Sequence, residues 1–69
     1  MIDIQTVGET AGLVWQYLTK HGRTTLIMLE RGISAPSETV LMAVGWLARE
    51  GKVELSQEKR SVNIQLTEK

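Results

Sequence analysis

The hydrophobic rhythm of this chain changes once, just past Gly51, and that change limits what the chain can fold into. Up to Glu50, apolar residues recur every three to four positions. After Gly51 they recur every second position: Val53 and Leu55, then Val62, Ile64 and Leu66. A period near 3.6 places residues on one face of a helix, and a period of 2 places them on one face of a strand. The chain therefore reads as helices followed by a β-hairpin, an α+β fold. With only 69 residues, about 60% of the unfolded surface is buried, enough for one compact domain over residues 1–69.

Val7, Ala11, Val14 and Leu18 recur at i, i+4, i+7 and i+11, predicting a first helix over Val7–Lys20 that His21-Gly22 ends. Trp15 borders this stripe and reads as core. Arg23-Thr24-Thr25 is β-branched and too short for an independent strand, but it can pair at a sheet edge. Leu26–Gly32 reads as a short helix, capped by a threonine and closed by Gly32, because Leu, Met, Glu and Arg are good helix formers. In Ser34-Ala35-Pro36-Ser37-Glu38 a hydroxyl, a proline and an acid mark another helix start. This helix runs to about Glu50, with Val40, Val44 and Leu47 inward, and Gly51 stops it. Lys52–Ser56 and Ser61–Leu66 are the strands, joined by the polar loop Gln57–Arg60.

The second and third helices, separated only by Ile33-Ser34-Ala35, form a helix-turn-helix. A lone hairpin is marginal in water, so it must lie on the helices. With Thr24-Thr25 as a third strand, the order of elements is that of a winged helix. The chain resembles the winged helix-turn-helix superfamily across nearly its whole length. Through Val44-Gly45-Trp46-Leu47-Ala48-Arg49-Glu50-Gly51-Lys52-Val53 it is similar to small stand-alone bacterial winged-helix proteins of unassigned function. That resemblance implies double-stranded DNA as a partner. The third helix would enter the major groove and the hairpin loop, the wing, would touch the neighbouring backbone.

The residues on those elements fit a DNA reader only in part. Opposite Val40, Val44 and Leu47 the third helix carries Glu38, Met42, Gly45, Trp46 and Arg49. Groove-reading faces usually offer Arg, Lys, Asn or Gln to base edges and phosphates. Candidate contacts are Ser37 and Thr39 at the helix start, Lys59 and Arg60 in the wing, and Arg23 beside it. Eight basic residues balance eight acidic ones, so no global field draws the chain to nucleic acid, and binding would be weak and salt-dependent. Charges at a loop tip also serve simply as a solvated turn.

A second class of function competes with the first. Leu13 and Tyr17 lie one turn apart, off the inward face of the first helix. With Met42 and Trp46 they suggest an apolar patch, and such patches mark partners. A homodimer is the commonest outcome. Trp46 reads either as peripheral core, against the first helix or under the wing, or as part of an interface.

Catalysis is not expected. The single histidine, His21, suits a helix C-terminus. Ser34, Ser37, Ser56 and Ser61 have no partner to activate them, and Glu9 and Glu30 stand at spacings typical of solvated faces. With no cysteine, thiolate metal sites and disulfides are excluded. No cofactor motif is present, and so small a domain is expected to have little room for a small-molecule pocket. No signal peptide or spanning segment is legible, so the expected location is the cytoplasm.

Overall fold

The computed structural model describes residues 3–67. Three helices and three strands follow one another as α1 (Ile4–His21), β1 (Thr24–Thr25), α2 (Leu26–Gly32), α3 (Ser37–Arg49), β2 (Val53–Glu58) and β3 (Ser61–Leu66). The α+β winged helix-turn-helix architecture read from the periodicity is the one observed. Among the described residues, no helix is long and apolar enough to cross a membrane.

Helix α1 starts three residues earlier than its apolar stripe indicates. Asp3 is the N-cap, and its carboxylate accepts a 2.8 Å hydrogen bond from the Thr6 N–H. That bond satisfies one of the orphan donors of the first turn and extends the helix into residues that add no apolar side chain to the core. At the other end Gly22 takes φ 77° and its N–H donates to the Leu18 carbonyl at 2.8 Å.

Helix α2 is capped by Thr25, whose hydroxyl accepts from the Met28 N–H at 3.2 Å. Gly32 does not close it as expected, because the helix runs through Gly32 and Ile33 is the C-cap. Gly32 is glycine for another reason. A Cβ there would stand 3.1 Å from Tyr17 Cζ and closer still to Cε2, so the Tyr17 ring lies on bare backbone. The start of α3 also differs from the expected hydroxyl cap. Pro36 is itself the N-cap and no side chain caps the helix. Its end is as expected. Gly51 adopts φ 75°, its N–H reaches the Ala48 carbonyl, and the Lys52 N–H reaches the Leu47 carbonyl. Those paired bonds form a Schellman motif, which turns the chain directly into β2.

The sheet is antiparallel in the order β1-β3-β2. Thr24 pairs with Ile64, and the β2–β3 ladder runs from Val53↔Leu66 to Glu58↔Ser61. The ladder continues to Glu58, so only Lys59 and Arg60 form the turn, a tighter wing than the four-residue loop expected.

The core joins all layers. Ala11, Val14 and Leu18 of α1 meet Leu29 and Ile33, then Val40, Ala43, Val44 and Leu47 of α3, with Val53 and Ile64 closing the sheet side. Leu55 departs from the expected buried face of the hairpin. Although it pairs with Ile64, it is 48% exposed. On the edge strand β2 only Val53 is buried, so the rest of the strand projects past the helices.

Candidate functional site

Two surfaces follow from this arrangement. The first is the helix-turn-helix with its wing. Ser37 is exposed at the first position of α3. Thr39 is not on that surface: it is 1% exposed, and its hydroxyl has no hydrogen-bond partner. It packs inward because Thr39 and Ala43, one turn apart and small, widen the buried stripe of α3. Thr39 is thereby removed from the candidate contacts. The remaining outer face of α3 carries Glu38, Met42, Gly45, Trp46 and Arg49, all exposed, and Leu41 stands beside them.

In the wing, Lys59 and Arg60 occupy the two turn positions, both exposed, with Lys59 at φ 54°. Glu58, next to them, lies on the polar face of the sheet. Its Oε2 is 3.8 Å from Arg23 Nη2 and its Oε1 accepts from Asn63 Nδ2 at 3.4 Å. Both partners of the Arg23–Glu58 pair are well exposed, so the pair adds little stability. It does hold Arg23 beside the wing. Arg60 also borders a small recess against Thr25 and Ile27, which places the wing turn next to the start of α2.

The second surface is apolar and lies on α1. The residues expected to form one patch are not all together: Leu13 and Tyr17 border one flank of α1 and Trp46 the other, while Met42 is exposed on α3 and lines neither. Leu13 is exposed, but Tyr17 is half-buried against the core, over Gly32, and its ring centroid stands 4.3 Å from that of His21. On the other flank, Trp46 of α3 faces a cleft that it shares with Trp15 of α1. Trp15 is not core as expected: it is 45% exposed, and Trp46 is 41% exposed. The reason is local. Trp15's neighbours on that flank are Gly8 and Gly12, which have no side chains to pack on the indole. The cleft has a volume of about 440 Å³, which overturns the expectation that so small a domain lacks room for a ligand. Sequence reasoning missed it because its walls come from distant segments. The legible signal was the pair Gly8 and Gly12 inside an amphipathic helix.

The hydrogen bond from the Thr6 backbone chiefly holds the Asp3 carboxyl below its ordinary pKa, and its role is the helix cap. Among the described residues, no group of three or more His, Asp or Glu side chains is placed to hold a metal ion.

Comparison with known families agrees with the architecture. Residues 1–66 match the model of a family described as a winged helix-turn-helix domain, DUF2582. No curated protein matches the sequence. The match spans nearly the whole chain and its description fits the fold, and the chain belongs to the DUF2582 family of winged helix-turn-helix domains.

Proposed function

We propose that this protein is a non-catalytic, homodimeric module that binds double-stranded DNA through its wing, by phosphate contacts and without reading base sequence. The observation that supports this most is the wing turn. Lys59 and Arg60 stand adjacent and exposed, and Glu58 beside them has Arg23 and Asn63 as partners. Ser37, at the exposed start of α3, adds a neutral hydrogen bond to the same backbone. Arg23 assists by occupying Glu58. The outer face of α3 offers only Arg49 as a cation, at the far end of the helix, so base readout has little to work with.

Two neutralised phosphates per protomer give a log–log salt slope of about −2, and a dimer engaging both wings gives about −4. Duplex binding titrated against salt, beside sedimentation of the same sample, tests this. Lys59→Ala with Arg60→Ala should abolish binding and flatten the slope. Absence of binding to random duplex at low salt would overturn the proposal.

A second reading is favoured by the apolar outer face of α3. In it the fold serves as a protein-interaction or self-association module and leaves DNA alone. Trp46→Ala or Leu13→Asp would then change oligomeric state while the fold persists. A monomer at high concentration, unmoved by either substitution, would remove the self-association version.

A further inference from the structure

Both tryptophans of the chain line the cleft between α1 and the end of α3, one from each helix, and both remain more than two-fifths exposed. Indoles usually contribute large buried area, so two left half-open on one cavity represent burial not taken. The cavity is kept open by Gly8 and Gly12. A Cβ added at either would meet nothing within 4 Å, and neither has a positive φ. No packing or backbone requirement therefore explains glycine inside this helix, where each costs about 1 kcal/mol relative to alanine. Their absent side chains are what leave the cleft its volume.

We propose that this cleft binds an unpaired nucleobase carrying a phosphate, either as a free nucleotide or within a single strand. A planar ring laid on an indole would gain stacking and cover the apolar floor of Ala11 and Leu47, which are each 5% exposed. The Gln16 amide offers both a donor and an acceptor for a base edge, and the Lys52 ammonium supplies the charge for the phosphate. Lys52 also opposes a cationic ligand, which bare indole faces would otherwise attract. A sugar would need more polar partners than Gln16 and Lys52 provide. The volume of about 440 Å³ lies within the 300–1,000 Å³ range of small-ligand sites. The site is separate from the wing and stands whether or not the wing binds duplex.

The chain's only tryptophans report on this cleft directly, so their fluorescence is the readout. Adenosine 5′-monophosphate and a short oligodeoxyadenylate are titrated in parallel, with adenosine and ribose 5-phosphate as partial probes. Saturable quenching by the nucleotide is expected, with adenosine weaker and ribose 5-phosphate silent. Tighter binding of the oligonucleotide assigns the site to single strands, and equal binding assigns it to free nucleotides. Lys52→Gln should bring the nucleotide down to the affinity of adenosine. Trp15→Leu should weaken both by about tenfold, within the range of one base–aromatic stack. Gly12→Leu should fill the cleft and abolish quenching while the melting temperature is held or raised, which separates lost binding from lost folding. No saturable quenching by either nucleotide probe overturns the proposal, as does binding that survives Gly12→Leu. A wild-type dimer that Gly12→Leu turns into a monomer, with no nucleotide quenching, overturns it in favour of a second copy in the cleft.

Discussion

Thr39 holds its hydroxyl among apolar neighbours with nothing to accept from or donate to. A buried, unpaired polar group costs about 1–3 kcal/mol, and valine has nearly the same shape without that cost. Thr39→Val should therefore stabilise the fold by about 1–2 kcal/mol in chemical denaturation; a loss would show that the hydroxyl has a partner. The glycines divide in the same measurement. Gly32→Ala pushes a methyl into the Tyr17 ring and should cost about 1–3 kcal/mol. Gly12→Ala meets nothing and should gain up to about 1 kcal/mol. Single-residue roles were the least legible part of the sequence. Helical projection gives the direction of a side chain but not what stands opposite. Thr39 and Trp15 lie near the edges of their stripes, so their burial depended on what flanks them: other elements for Thr39, and the bare Gly8 and Gly12 of its own helix for Trp15.

At the level of elements, sequence rules worked where a local hydrogen bond decides the outcome. Gly51 and Gly22 end their helices with positive φ, and Thr25 caps α2; each could be read from residue type and position alone. The start of α1 was missed because Asp3 begins a turn that buries no apolar side chain, leaving no apolar period to see. Asp3's carboxyl is held low in the folded state, so its contribution is full above the unfolded pKa and lost as pH falls through the folded one. Asp3→Ala should lower the melting temperature at neutral pH and flatten its decline in the acid range below about pH 4. An unchanged acid limb would remove the cap from the account. The wing turn carries its own strain. Lys59 at φ 54° pays a left-handed penalty of about 1–2 kcal/mol. Lys59→Gly should recover about 0.5–1 kcal/mol of that after glycine's entropy in the unfolded chain. The same substitution should weaken duplex binding, so stability and the proposed function pull in opposite directions at this turn.

Across the whole molecule, the change of hydrophobic period was enough to give the architecture, because element types and their order leave few ways to cover one core. The candidate sites were legible unevenly. The wing cations sit together in sequence and were readable, whereas the tryptophan cleft joins residues some thirty positions apart and was not. Domains of this size carry only about 3–10 kcal/mol of total stability. Ile64 is fully buried where the sheet meets the helices, and truncating such a residue to alanine costs about 2–5 kcal/mol. Ile64→Ala should leave a large unfolded population at room temperature, visible as lost amide protection across all three helices rather than in the hairpin alone. Protection that survives in the helices would show that they cohere without the sheet.

The strand order β1-β3-β2 places the last-made of these strands at the centre. During synthesis, all three helices and both flanking strands leave the ribosome before the strand that joins them. Until β3 emerges, Thr24-Thr25 has no neighbour to pair with and the core lacks Ile64. The helices therefore have one side of their shared interior uncovered for as long as that strand is missing.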